Sequence, residues 1–208
     1  MNPPFDASWN RAWHGLQAAG DGHVVRDALL ARYAEPHRRY HTLQHLAECL
    51  SLFDTLRDAP DRPAEVELAL WFHDAVYDLG SAENESRSAA WAREALGATG
   101  VAIDAIARID ALVMATRHAT LPRTRDEQVL VDIDLAILGA APERFAEYEQ
   151  QIRGEYAHVP SLLFGARRRA LLQSFLDRAS IYSTPALHRR LEARARANLA
   201  RSIAALGG

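Results

Sequence analysis

Two histidines, His41 and His45, stand four residues apart in the segment Tyr-His-Thr-Leu-Gln-His over residues 40–45. Residues at this spacing lie one turn apart on the same face of a helix. The sequence therefore predicts that the two imidazoles point towards one cavity.

A second candidate is the doublet His73-Asp74, which directly follows the very apolar run over residues 68–72. Burying these two polar side chains without a partner would be costly. A divalent cation removes that cost, because imidazole nitrogen and carboxylate oxygen are ligands that Zn, Mn, Fe or Co accept in mixed sites. The doublet is therefore predicted to bind a metal.

Two carboxylates, Asp132 and Asp134, interrupt the otherwise apolar segment over residues 130–139. Residues two apart are separated by about 200° around a helix, so only one of them is expected to face the same site as the histidines. Spacing alone does not choose between them.

Taken together, these elements resemble the HD superfamily of metal-dependent phosphohydrolases, whose signature is a His, a later His-Asp doublet and a distant Asp on separate helices. In that family the distant Asp opens a short Asp-x-Leu or Asp-Arg-Leu run that ends near a glycine, and Asp134 matches this run best. Asp132 then becomes a residue that orients a ligand or an arginine. The resemblance implies four metal ligands: His45, His73, Asp74 and Asp134.

The same resemblance implies catalytic roles. The segment 40–45 is similar to the Tyr-His-Asn-x-x-His element of cyclic-nucleotide phosphodiesterases, where the first His protonates the leaving oxygen, so His41 is implied as a general acid. Residues 73–78 are similar to the His-Asp-x-x-Glu-Asp element of guanosine-tetraphosphate hydrolases. Asp78 matches the Asp of that element and is implied to position water, whereas Tyr77 replaces the Glu, which argues against assuming the same substrate.

Overall, the chain resembles a bacterial branch of predicted HD-superfamily phosphohydrolases. This branch carries Tyr-His-x-x-x-His, His-Asp-x-x-Tyr-Asp, Asn-Glu-x-x-Ser and Asp-x-Asp-Leu-x-Ile-Leu-Gly. Residues 38–139 of the chain contain all four motifs. The resemblance therefore implies a helical HD-type fold.

A phosphorylated substrate needs positively charged or hydrogen-bonding partners. Arg38 and Arg39 directly precede Tyr40, and Arg117 stands beside His118. Because arginine binds phosphate in a bidentate manner, these three arginines are predicted to bind it. His118 is predicted either to line the pocket or to interact with carbonyl groups at a helix end.

Asn84 and Glu85 follow the His-Asp doublet after a short loop. One interpretation places them at the rim of the site, where they would contact substrate. The equal alternative is helix-start chemistry, because Ser81 and Ser86 with nearby Glu also match a capping pattern.

The expected cofactor is one divalent ion: Mn, Zn, Fe, Co, Ni or Mg. Dinuclear HD enzymes usually have two more histidines between the doublet and the final Asp, whereas this chain has only His118 there. A mononuclear site is therefore predicted, and oxidation by a di-iron site is a minor alternative.

The predicted function is hydrolysis of a phosphate ester or anhydride of a small molecule, with a nucleotide among the candidates, by metal-activated water. The alternative is a degenerate HD module that binds a nucleotide or a partner without turnover. Tyr77 in place of Glu motivates this alternative.

The elements that must position these residues are predicted from hydrophobic periodicity. Apolar residues recur at three- and four-residue spacing almost throughout, and no segment alternates long enough to form a strand, which predicts an all-α fold. One domain over residues 1–208 is expected, with a motif core at about 38–139 and C-terminal packing helices at about 142–206. The predicted helices lie at about 8–20, 23–34, 41–58, 64–79, 83–97, 102–116, 126–140, 142–157, 161–179 and 185–205.

Composition excludes several function classes. The 208 residues carry a formal net charge of −3, which argues against bulk nucleic-acid binding. All 24 basic side chains are arginine, which excludes lysine Schiff-base chemistry. Cys49 is the single cysteine, so no intramolecular disulfide can form, and it is interpreted as a buried apolar residue rather than a nucleophile.

The chain shows no targeting signal and no apolar stretch long enough for a membrane span, which predicts a cytoplasmic protein without a membrane anchor. The last helix, from Pro185 to about Leu206, is expected to pack on the body of the protein or on a second copy. A homodimer is therefore one of two expectations for this helix.

Overall fold

A computed structural model describes residues 5–206, and every regular element in this range is helical. The predicted all-α fold is confirmed. The helices are α1 (Phe5–Gly15), α2 (His23–Tyr33), α3 (Leu43–Asp54), α4 (Pro63–Phe72), α5 (Asn84–Gly97), α6 (Ile103–Ala115), α7 (Arg125–Asp134), a short 3-10 helix (Leu135–Gly139), α8 (Pro142–Glu155), α9 (Ser161–Leu176) and α10 (Pro185–Ala205).

Two differences from the predicted helices matter for the site. The helix predicted over 41–58 begins at Leu43, and the helix predicted over 64–79 ends at Phe72. As a result His41 lies in the turn before α3, and His73 and Asp74 lie in the turn after α4. The directions of their side chains therefore do not follow the periodicity of a helix.

The chain divides into two compact units, Met1–Ile133 and Asp134–Gly208. The predicted single-domain organisation stays a prediction. In the first unit α4 is the central helix, because each of its residues from Glu65 to Phe72 is buried and it packs against α1, α3, α5 and α6. A predominantly apolar helix of this kind is stable only when neighbouring helices cover it.

A polar network fastens α1 to α4. Trp71 packs edge-on against Trp9, with the ring centroids 5.2 Å apart, and its indole Nε1 donates to Ser8 Oγ at 3.0 Å. Ser8 in turn donates to the buried Glu67 carboxylate at 2.6 Å, and Arg11 Nε donates to the other carboxylate oxygen at 3.0 Å. The network links Ser8 and Arg11 of α1 to Glu67 and Trp71 of α4 and so fixes the contact between the two helices.

In the second unit the 3-10 helix is enclosed by α8 and α10, and α10 also packs against α9. Asn198 Nδ2 donates to Leu138 O at 2.8 Å and to Ala140 O at 3.0 Å, which satisfies carbonyls at the end of the 3-10 helix. Gly139 permits the close approach, because a Cβ there would lie 2.7 Å from Leu191 Cβ.

No helix between residues 5 and 206 combines the length and the apolar character that a membrane span requires. The cytoplasmic location stays a prediction.

Candidate metal centre

His73 is oriented by the end of α4. It directly follows Phe72, it is 1 % exposed, and its Nδ1 lies 2.8 Å from Leu70 O. Because a carbonyl oxygen only accepts hydrogen bonds, Nδ1 carries a proton, and Nε2 is the nitrogen that is directed towards His45 and Asp74. A backbone partner that fixes the ring in this way is typical of metal-binding histidines.

His45 lies in the first turn of α3 and is buried. The helix begins where it does because the Thr42 side chain caps it, accepting from Gln44 N at 3.3 Å. This start directs His45 Nε2 to within 3.1 Å of His73 Nε2. The two rings therefore present nitrogen atoms to the same point.

Asp74 completes a triangle of donor atoms. Its Oδ2 lies 3.1 Å from His73 Nε2 and 3.5 Å from His45 Nε2. Ligands that bind one ion at about 2.0–2.2 Å are separated from each other by about 3.0–3.5 Å in octahedral or tetrahedral geometry. The two nitrogens and the oxygen can therefore share one ion where they stand.

The charge state of Asp74 suits a cation. Burial raises the pKa of its carboxyl group, but the interactions with the imidazoles of His73, His41 and His45 outweigh burial and lower the pKa below its ordinary range. The group is consequently a carboxylate that can only accept.

Cys49 lies one helical turn after His45 on α3 and is buried. Its Sγ is 3.7 Å from His45 Nδ1 and 3.8 Å from His45 Nε2. The donor atoms of Cys49, His45 and His73 all lie within 4.8 Å of one another, so this buried cluster could hold a metal ion. Sequence reasoning missed the cluster, although the four-residue spacing from His45 was a signal that would have found it.

His41 does not share a helix face with His45, and this part of the sequence prediction is wrong. Thr42 is extended, with φ −113° and ψ −178°, so α3 starts after His41. The His41 ring nevertheless lies 6.1 Å from the His45 ring and stacks on Tyr77 with centroids 4.1 Å apart. Its role as general acid stays a prediction.

Arg38 has extensive structural contacts. Its buried guanidinium donates to Glu35 Oε2 at 3.1 Å, to His41 O at 3.2 Å, to Asp74 O at 2.6 Å and to Ala75 O at 3.0 Å. These contacts join the turn before α3 to the turn after α4 and favour a structural role. Phosphate binding by Arg38 stays an untested prediction.

The other predicted cationic partners lie at different places on the first unit. Arg39 is exposed beside the His41 turn. Arg117 is exposed after α6 and donates to Ala82 O at 3.4 Å, and His118 is half-buried with a left-handed backbone, φ 53°. Their substrate-binding roles stay predictions.

Asp78 and Asn84 interact with each other. Asn84 Oδ1 accepts from Asp78 N at 3.0 Å, and Asn84 Nδ2 donates to Asp78 O at 3.1 Å. The Asp78 carboxylate is about half exposed, and a hydrogen bond from Arg87 lowers its pKa. Glu85 is half-buried in the first turn of α5. These contacts tie Asn84, the first residue of α5, to the loop after the doublet, and the N-cap Glu83 makes no side-chain capping hydrogen bond. The catalytic role of Asp78 and both interpretations of Asn84 and Glu85 stay predictions.

Asp132 and Asp134 occupy the end of α7. Asp132 is fully buried, and Asp134 is half-buried at the last residue of the helix. Because Asp134 belongs to the second unit, its assignment as a metal ligand stays a prediction from the resemblance.

Comparisons of the chain with family models, with curated proteins and with solved structures found no match. The interpretation of the site therefore rests on its donor atoms and their geometry.

Proposed function

We propose that the protein is a metal-dependent hydrolase that cleaves a phosphate ester or anhydride of a small molecule. The observation that carries the proposal is the triangle of His45 Nε2, His73 Nε2 and Asp74 Oδ2, with edges of 3.1, 3.1 and 3.5 Å. The order of the motifs supports it, because a His, a His-Asp doublet and a distant Asp are the signature of the HD superfamily.

The donor set narrows the choice of metal. Two imidazole nitrogens and one carboxylate oxygen suit Mn, Fe, Co, Ni or Zn, whereas Mg prefers oxygen ligands and water. When bound, such an ion lowers the pKa of a coordinated water to about 7 and polarises a phosphoryl oxygen.

The chain's own residues then supply binding and proton transfer. His41 is half-buried, and its position is fixed by the stacked ring of Tyr77 and by Arg38, which donates to its carbonyl. In the proposal its imidazole gives a proton to the leaving oxygen. The exposed Arg39 beside it is the guanidinium proposed to bind the phosphate group.

Metal content tests the site directly. We expect about one divalent ion per chain in the wild type and strongly reduced content in His73→Ala and Asp74→Asn. Asp134→Ala tests the ligand implied by the resemblance. His14→Ala, at an exposed position of α1, is the matched control and should retain the ion. Equal metal content in all variants would exclude the proposed site.

Phosphate release tests the reaction. The metal-loaded protein is assayed with nucleotides and simple phosphate esters in the presence of Mn, Co, Ni, Mg and Zn. We expect turnover that falls by about 10²–10⁴-fold in His41→Ala, as for a lost general acid. A fully loaded site without turnover on the whole panel would contradict hydrolysis.

A second candidate is a module that binds a phosphorylated ligand without turnover. Two contacts favour it, because they engage the residues to which catalytic roles are assigned. Tyr77 stacks on His41, and the Asp78 carboxylate pairs with Arg87 at the surface. Ligand binding without product, equally tight in His41→Ala, would support this candidate over the hydrolase.

A further inference from the structure

The proposed metal centre has one donor atom beside the two nitrogens of His45 and His73 and the oxygen of Asp74. This atom is the sulfur of Cys49. Cys49 is the single cysteine of the chain, it is 2 % exposed, and it lies on the same helix as His45. Its Sγ, His45 Nε2 and a nitrogen of His73 fall within 4.8 Å of one another. Two buried imidazoles therefore have both a carboxylate, that of Asp74, and a thiol, that of Cys49, as neighbouring ligand groups.

We propose that the centre has two donor sets and that the metal decides which one is used. This inference rests on the metal site of the proposed function. Ions that prefer oxygen, such as Mn²⁺, use His45, His73 and Asp74. Thiophilic ions, such as Co²⁺, Zn²⁺ and Cd²⁺, additionally recruit the Cys49 sulfur, because thiolate is the softest ligand that the site offers.

The separation of the donor atoms fits the sulfur-containing set. In a tetrahedral site with metal–sulfur bonds of about 2.3 Å and metal–nitrogen bonds of about 2.0–2.1 Å, sulfur and nitrogen lie about 3.6 Å apart. Cys49 Sγ lies 3.8 Å from His45 Nε2, so the sulfur is close to this separation before its side chain rotates.

The orientation of the Cys49 side chain explains why its sulfur is expected to bind some metal ions and not others. Sγ is almost equally distant from both nitrogens of His45, at 3.7 and 3.8 Å, so it lies beside the ring rather than beyond Nε2. Ligation therefore requires the Cys49 side chain to turn about its Cα–Cβ bond. A thiophilic ion compensates for this rotation with a metal–sulfur bond, whereas Mn²⁺ leaves the thiol in place.

Cobalt substitution tests the proposal in the full-length protein. Sulfur-to-cobalt charge transfer absorbs strongly in the near ultraviolet, and Cys49 is the only residue that can produce a thiolate band in this chain. We expect the band in the wild type loaded with one Co²⁺. We expect Cys49→Ser to bind Co²⁺ at the same stoichiometry without the band.

Affinities provide a second, independent measurement. We expect Cys49→Ser to lose about tenfold or more in Cd²⁺ affinity while its Mn²⁺ affinity changes by less than about threefold. Cys49→Ala, measured beside it, separates the loss of sulfur from the introduction of a hydroxyl group. Circular dichroism confirms that each variant is folded before its affinity is compared.

The outcomes separate the two proposals. One bound Co²⁺ in the wild type without a charge-transfer band would overturn the role of Cys49 and leave the nitrogen and oxygen site intact. Parallel losses of Cd²⁺ and Mn²⁺ affinity would also overturn it, because they would indicate a packing defect. A wild type that binds no Co²⁺, Mn²⁺ or Zn²⁺ would overturn the metal centre of the proposed function as well.

Discussion

The Nε2 atoms of His45 and His73 face each other at 3.1 Å, although the two residues are 28 positions apart in the chain. Both residues are at most 2 % exposed, and the His73 ring is held by the hydrogen bond from Nδ1 to Leu70 O. A cation bound by both nitrogens offsets the cost of burying them side by side. A cation bound by this pair would therefore stabilise the folded state.

Metal binding is therefore predicted to stabilise the protein. A divalent ion at a free concentration of one hundred times its Kd should raise the free energy of unfolding of the wild type by about 2.7 kcal/mol. His73→Ala should abolish most of this increase, since one of the three donor atoms is lost. Urea unfolding with a chelator and with added Mn²⁺ or Zn²⁺ measures both values.

His14→Ala is the control for this experiment, because His14 is an exposed histidine of α1. Its response to metal should equal that of the wild type. If the ion stabilised the wild type and His73→Ala by the same amount, it would bind elsewhere in the molecule and the assignment of His73 would be wrong.

Arg38 and Arg39 are neighbours in sequence, but their substitution is expected to change the free energy of unfolding by very different amounts. Arg38→Lys should lower the free energy of unfolding by about 2–4 kcal/mol, because a lysine cannot replace the planar contacts to His41 O, Asp74 O and Ala75 O. Arg39→Lys should change it by less than about 0.5 kcal/mol, since the side chain is exposed. Equal effects in chemical unfolding would show that the Arg38 contacts contribute nothing specific.

The helices could be predicted from hydrophobic spacing, but the helix ends nearest the site could not. The apolar run before His73 predicts a helix that continues past it, whereas α4 ends at Phe72. Beyond Phe72, side chains that are distant in sequence form hydrogen bonds with the backbone N–H and C=O groups of Asp74. Tyr33 Oη accepts from Asp74 N at 3.3 Å, and Arg38 binds the carbonyl of Asp74. Such tertiary contacts are not encoded in local periodicity.

The site was predictable to different degrees. His45, His73 and Asp74 were recognised by residue type and by the resemblance, and the structure brings their donor atoms within 3.5 Å of one another. Cys49 was not recognised, because a cysteine among leucines is usually a packing residue. The Asp78 carboxylate pairs with Arg87, a contact that nothing in the local sequence indicates.

Asn84 and Glu85 can be separated by their effects. Asn84→Ala should lower the free energy of unfolding by about 1 kcal/mol, because it removes two hydrogen bonds to the backbone of Asp78. It should leave metal content unchanged, as expected for a residue that shapes the start of α5. Glu85→Gln is the control for the change in unfolding free energy. If Glu85 lies at the rim of the site and contacts substrate, this variant should have a changed KM and an unchanged stability. Loss of metal in Asn84→Ala would contradict the structural role.

Glu67 should make stability depend on pH in a defined direction. Burial raises the pKa of its carboxyl group above the ordinary 4.5, and this effect exceeds the opposing hydrogen bonds from Arg11 and Ser8. The folded state therefore holds the proton more tightly than the unfolded state does. The contribution of the protonated group is fully present below the unfolded pKa and is lost as pH rises through the folded pKa.

Glu67→Gln isolates this contribution, because glutamine keeps a carbonyl oxygen for Ser8 and does not titrate. Urea unfolding of both proteins from about pH 4 to about pH 7 gives the difference in unfolding free energy, in which all shared titrations cancel. We expect the wild type to lose stability relative to Glu67→Gln as the pH rises through this range. A difference that instead grew in favour of the wild type would mean that the ion pair with Arg11 outweighs the cost of burying the Glu67 carboxylate beneath α1.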